Sequence, residues 1–204
     1  ANRSAYDWPS FRKYLFDPRV IKSAGVTLEL TAAAMFFAII LGITLAVMRR
    51  SPNPIFQSVS WLFIWVFRGT PVYVQLVFWG LLSTIYKSVF IGIPFIHFND
   101  FYLGAHFPVS QNTSLFWIAV IGLSLNEAAY MAEIVRGGLI AVDSGQEEAA
   151  KSIGMSSWQT MRYIVIPQAM RVIIPPTGNE VISMLKTTSL VTAVPLVTDL
   201  YART

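Results

Sequence analysis

Cysteine is absent from the 204 residues, which excludes disulfides, zinc–thiolate sites and iron–sulfur clusters. Histidine is almost absent: His97 and His106 are the only two. No third ligand accompanies them, so they read as solvated loop residues and not as a metal site. Charge is scarce too. Charged residues make up 13% of the chain, against roughly 25% in a soluble domain. The formal charge of +4 suits loops facing anionic lipid better than a nucleic-acid surface, and no basic patch interleaved with aromatics supports nucleic-acid binding. There is no Gly-rich loop ending in Lys-Ser/Thr, so the chain does not itself cradle and hydrolyse ATP.

What remains is apolar. Hydrophobic residues account for 54% of the chain and the mean hydropathy is +0.55. Several runs of about 20 residues are apolar on every face, which makes the chain a polytopic membrane protein. It starts at Ala1 without a signal peptide of the usual kind and stops at Thr204 soon after an apolar stretch; trimmed ends are expected.

Residues 1–22 mix Trp8, Phe11 and Leu15 at helical spacing with basic residues, an outer interfacial segment that is either an amphipathic helix or a loosely held tail. Spans are expected at 24–48, 57–86, 114–135 and 163–185. The first has a small-residue face of Ala32, Ala33, Ala34 and Gly42. Arg68-Gly69-Thr70-Pro71 breaks the second. Between the second and third, 87–112 is an outer loop, too polar and too rich in Pro, Gly and Asn to cross, with aromatics suited to the headgroup region. Pro167, Pro175 and Pro176 bend the fourth span and free backbone carbonyls that need protein or water as partners. Residues 188–204 are a re-entrant segment or the start of a last span. Positive charge does not orient the chain: Arg3, Arg12, Lys13, Arg19, Lys22 and Lys87 on one side face Arg49, Arg50, Arg136, Lys151 and Arg162 on the other.

Set between the apolar segments, 140–162 forms a polar helical hairpin. Ser144 with Glu147 reads as a capping box, Glu147 and Glu148 favour the positive end of the helix dipole, and Gly154 suits the left-handed position that closes a helix. Ser156 with Gln159 is a second capping box. Ala149 and Ala150 leave the middle of the first helix nearly bare, open to a groove in another protein, and bulky residues there are expected to obstruct that approach. A plain loop with caps that merely follow helix propensity is the other reading.

Glu148-Ala149-Ala150, then Gly154, then Ile164 and Pro167, resembles the loop signature of bacterial ABC importer permeases, with Ile166 where Leu is usual. Arg68-Gly69-Thr70-Pro71, Ala128-Ala129-Tyr130, Glu133-Ile134-Val135-Arg136-Gly137-Gly138, Gly145-Gln146, Pro167-Gln168-Ala169 and Lys186-Thr187-Thr188-Ser189-Leu190 are similar to the polar amino acid uptake subfamily. The resemblance covers roughly residues 24–200. It implies an all-α membrane protein of the type I ABC importer-like permease fold, one permease domain over 1–204, with four spans here and a fifth expected beyond the C-terminal end. It implies residence in the bacterial cytoplasmic membrane, multi-pass, with the N-terminus outside and the hairpin in the cytoplasm. A coupling helix formed by Gly145, Gln146, Glu147, Glu148, Ala149, Ala150, Lys151, Ser152 and Gly154 would dock on a separate ATPase dimer carrying ATP and Mg, with no cofactor on this chain. The other implied partners are a second permease subunit (identical or sister), an extracytoplasmic substrate-binding protein, an amino acid substrate and membrane lipid, but no nucleic acid. The implied activity is transport by alternating access and not enzymatic catalysis.

Ionisable groups at bilayer depth are costly and suggest function. Arg68, Asn126, Glu127, Asn179, Glu180 and Lys186 are the pathway candidates, facing a polar interior that could hold the ammonium and carboxylate of an amino acid. An interhelical ion pair such as Arg68 with Glu127 or Glu180 is the structural alternative. Two other functions remain in view. One is an ion-coupled secondary transporter with Glu127 and Glu180 as proton sites, although no inverted repeat is visible. The other is a membrane scaffold or enzyme that uses the hairpin to recruit a soluble protein.

Overall fold

A computed structural model describes residue 8 and residues 17–85, 88–98, 101–108 and 112–193. Most of the expected interfacial helix at 1–22, and all but the first part of 188–204, lie outside the described residues.

Helix α1, Pro18–Arg49, has 32 residues. Asp17 opens it, accepting the Arg19 N–H at 2.8 Å, and Pro18 takes the first position, where its missing N–H costs nothing. Helix α2, Pro54–Gly69, is capped by Asn53, whose Oδ1 accepts the Ile55 N–H at 2.9 Å, again with proline at the start. Thr70 is extended, the conformation forced on a residue before proline, and the chain resumes as α3, Val72–Ile85. The expected break at 68–71 is therefore real, and its cause is Pro71.

Residues 88–108, inside the expected outer loop, carry an antiparallel pair of strands, β1 (Ser88–Phe98) and β2 (Phe101–Pro108). Ser88 lies opposite Pro108 and Gly92 opposite Gly104, with an irregularity between Gly92 and His97. Val, Ile and Phe in this stretch favour the extended backbone. Helix α4, Asn112–Ile140, runs past the expected end at 135. The hairpin follows as α5, Ser144–Ser152, and α6, Ser157–Thr160. A π-turn, Met161–Val165, leads without a break into α7, Ile166–Thr187, and a 3-10 turn, Thr188–Ala193, ends the described chain.

By length and composition, α1 and the Leu115–Ile140 part of α4 can each cross a membrane, and the broken pair α2–α3 makes a third crossing if taken together. Helix α7 has the length, 22 residues, but Gln168, Arg171, Asn179, Glu180 and Lys186 make it less apolar.

Two compact units are formed: 1–32, 73–122 and 187–204 make one, 33–72 and 123–186 the other. Within the first, Gly122 lies against the side chains of Trp79 and Leu76. The second holds the candidate site. Its core joins Ala38 and Leu45 of α1, Ile64 of α2 and Ala128 and Ala132 of α4, and a neighbouring cluster joins Ala46, Val135, Ala169 and Ile173. The small-residue face of α1 is Ala34, Ala38, Gly42 and Ala46, all buried. Ala32 turns outward, so the expected face was right at Ala34 and Gly42 and misaligned at Ala32. Hydroxyls have no water to bond in hydrocarbon and instead return to the backbone. Thr27 donates to the Ser23 carbonyl, Thr31 to that of Thr27 and Thr44 to that of Ile40. Two bridge helices: Ser60 Oγ donates to the Leu45 carbonyl at 2.7 Å and Ser124 Oγ to that of Ala34 at 3.2 Å.

A Cβ on Gly42 would lie 2.6 Å from Met131 Cβ and 3.1 Å from the Ala132 nitrogen, while one on Gly137 would meet nothing within 4 Å. Gly42→Ala is expected to destabilise the protein by about 1–3 kcal/mol through overpacking, with Gly137→Ala near neutral. Thermal unfolding of the two variants in one detergent checks this; equal midpoints would contradict the close α1–α4 packing.

Candidate functional site

Helix α5 stands on two strong caps. Asp143 is its N-cap, accepting the Gly145 N–H at 2.7 Å. The helix therefore starts one residue before the expected Ser144 box: Asp143 and Ser144 are comparable capping residues, and the local geometry selects Asp143. At the other end Gly154 has φ +83°. The Met155 N–H reaches the Ala150 carbonyl at 3.1 Å and the Gly154 N–H that of Lys151 at 3.0 Å, a Schellman closure that only glycine adopts without strain. The second box forms in full: Gln159 N–H to Ser156 Oγ, and Ser156 N–H to Gln159 Oε1.

The faces of α5 are unequal. Gly145, Gln146, Glu148, Ala149, Lys151, Ser152 and Gly154 are exposed, Glu147 is half-buried and Ala150 is buried. Ala149 and Ala150 thus do not share a bare surface; Ala150 is the inward anchor because it follows Ala149 by about 100° of helix rotation. Gln168 Nε2 of α7 donates to Gln146 Oε1 at 3.4 Å, so α5 is tied to α7 both by this bond and through the continuous α6–π–α7 path. Two apolar side chains missed in the sequence stand out beside it: Ile153 is 79% exposed and Trp158 67%. An apolar residue directly before a closing glycine, and a tryptophan inside a capping box, were the available signals.

Among the membrane-depth candidates, the structure separates roles. Asn126 of α4 is buried and its Nδ2 donates to the Phe67 carbonyl at 3.0 Å. A continuous helix would give that carbonyl the N–H of residue 71, and Pro71 has none. Asn126 is the substitute donor at the break. Arg68 is exposed, its guanidinium 5.3 Å from the Tyr130 ring centroid, one turn along α4 from Asn126. The two contacts clamp the end of α2 onto α4. Glu127 is buried and its Oε1 has no hydrogen-bond partner. Glu180 of α7 is half-buried; Asn179 and Lys186 are exposed. The one salt bridge among the described residues joins Arg136 to Glu133 at 2.6 Å. The expected Arg68–Glu127 or Arg68–Glu180 staple does not form, because Arg68 is engaged at the helix break.

Residues 38–195 match the family of binding-protein-dependent transport system inner membrane components. The chain belongs to this family. Of its relatives, the arginine transport system permease protein ArgU of Corynebacterium glutamicum is 54% identical over 202 residues, covering 99% of this chain and 61% of that protein. The glutamine transport system permease protein GlnP of Escherichia coli K12 is 31% identical, covering 91% of this chain and 74% of its own. A solved amino acid ABC transporter crystallised with histidines superposes with a TM-score of 0.75 at 35% identity, over 97% of this chain and 80% of that one. The helical fold and the polar amino acid subfamily are thereby established. This inner membrane component spans less than two thirds of the length of the Corynebacterium protein.

Asn126→Ala removes that donor from the Phe67 carbonyl in a partly buried setting. A loss of about 1–3 kcal/mol in stability is expected, read as a lower unfolding midpoint in detergent. A midpoint equal to that of the parent chain would show that the bond does not hold the break.

Proposed function

We propose that this chain is the transmembrane subunit of an ATP-driven importer of a polar amino acid, and that α5 is the element that docks into a separate cytoplasmic ATPase. The observation that carries this reading is the doubly capped helix itself. It is held from behind by Ala150 and Gln168 and presents outward Gly145, Gln146, Glu148, Ala149 and Lys151, with Ile153 and Trp158 as apolar anchors at one end. An exposed tryptophan and isoleucine on a polar hairpin suit a partner groove better than solvent. The names of the relatives, transport permeases for arginine and for glutamine, support the same reading.

The energy enters through the partner, which holds ATP and Mg; this subunit catalyses nothing. Two permease subunits, identical or sister, enclose the pathway, and α7 crosses the bilayer with its polar side toward it. The N-terminus lies outside, where a binding protein delivers the amino acid. Closure of the ATPase displaces α5, and the continuous α6–π–α7 path carries the displacement to the membrane gate, switching between two global states.

Ala149→Trp and Trp158→Ala change exposed positions, so stability is expected to move by no more than about 0.5 kcal/mol. Attachment of the ATPase is expected to weaken by about 2 kcal/mol or more, with uptake falling while the detached ATPase still turns over. Reconstituted uptake and ATPase co-purification check this, and normal uptake in both variants would refute docking. Ala150→Trp, by contrast, is expected to disrupt the hairpin itself.

A further inference from the structure

We infer that the π-turn Met161–Val165 is the elbow of the coupling path, an inference that rests on the transport reading above and says where its displacement is taken up. In an α-helix each N–H bonds the carbonyl four residues back. At this turn the Ile166 N–H instead takes the Met161 carbonyl, five residues back, so the turn carries one residue beyond the α count. The buried face shows the same surplus. Thr160, Val165, Ala169 and Ile173 are all buried. Val165, Ala169 and Ile173 follow one another at intervals of four, whereas Thr160 precedes Val165 by five. The extra residue lies on the outer side, where Arg162 and Tyr163 are both exposed and the Arg162 guanidinium stands 5.9 Å from the Tyr163 ring centroid.

Local bonding does not fix this register. Pro167, directly after Ile166, has no N–H, so it closes neither an α-bond to the Tyr163 carbonyl nor a π-bond to that of Arg162. The α7 ladder therefore does not dictate how the turn is wound. At the other end, Thr160 precedes the turn with its side chain buried and its Oγ1 without a hydrogen-bond partner. Thr27, Thr31, Thr44 and Thr177 all return their hydroxyls to the carbonyl four residues back, the usual outlet for a helical threonine. Thr160 does not. An unmet buried hydroxyl is unfavourable, so the turn is held in this register by its neighbours. Helix α5 packs on the turn, and Gln146 of α5 accepts from Gln168, just beyond it. When ATPase closure displaces α5, the turn yields first. The Ile166 N–H passes from the Met161 carbonyl to that of Arg162, and the hairpin moves along and around the axis of α7.

The test is pulsed electron spin resonance on the intact importer complex in lipid nanodiscs, with spin labels at Ser157→Cys and Ile174→Cys, two exposed positions on either side of the turn. Their separation is expected to differ between ATP-free and ATP-trapped complexes by at least one residue's rise, about 1.5 Å. A separation that stays the same while uptake continues would overturn the inference, because the path would then act as a rigid rod. Deletion of Tyr163 removes the extra residue from the exposed side and leaves Thr160 and Val165 separated by the α interval. That variant is expected to keep its unfolding midpoint, to hold one label separation in both states and to lose most of its uptake. Tyr163→Ala, which keeps the residue count, is expected to transport normally. Parent-like uptake after the deletion would overturn the inference, as would equal loss in Tyr163→Ala, which assigns the effect to the side chain. If the deletion variant fails to assemble, the labelled parent decides alone. A parent complex that carries no amino acid at all would instead remove the transport reading on which the elbow rests.

Discussion

The structure is governed by one constraint: inside hydrocarbon, each freed backbone group must find its partner within the protein. Pro71 stops α2 and has no N–H to give the Phe67 carbonyl, and Asn126 of α4 donates to that carbonyl at 3.0 Å. The hydroxyls of Ser60 and Ser124 stitch α1 to its neighbours through the Leu45 and Ala34 carbonyls, and this requires the helices to lie close. Gly42 and the alanines of α1 supply the closeness. Packing follows from polar satisfaction here, since lipid offers no hydrophobic drive between helices.

The same constraint gives the hairpin its independence. Helix α5 is short, and short helices are marginal in water by themselves. Asp143 at one end and the Gly154 closure at the other satisfy its orphan groups locally, so its outward face need not be buried to keep it folded. That freedom lets a polar helix stand beyond the membrane segments and remain a defined surface. Among the described residues the exceptions to satisfaction are the buried oxygens of Ser23, Glu127 and Thr160, which have no hydrogen-bond partner.

Much of this was legible in the residues, and the failures have physical causes. Proline at 71, glycine at 154 and the Ser156–Gln159 box each permit few conformations, and each did what its chemistry demands. The N-cap slipped by one position because Asp143 and Ser144 both offer a side-chain oxygen and only local geometry decides between them. Ala149 and Ala150 looked equivalent because helix rotation, not composition, separates them. The pairing of Arg68 was beyond reach for another reason: a charged side chain at a break has several neighbours in space, and sequence order names none of them. The strands Ser88–Phe98 and Phe101–Pro108 were hidden by the prolines, glycines and asparagine of their segment, which weigh against regular structure in any window reading.

The absence of cysteine makes the central claim directly measurable. A single thiol introduced as Ala149→Cys is unique in the chain, and a short cross-linker applied to the importer in native membranes reports what α5 touches. The account predicts a covalent adduct with the nucleotide-hydrolysing subunit from Ala149→Cys, and little from Ala150→Cys, which faces inward. Reaction of Ala149→Cys with lipid or small thiol reagents alone, with no ATPase attached, would contradict it.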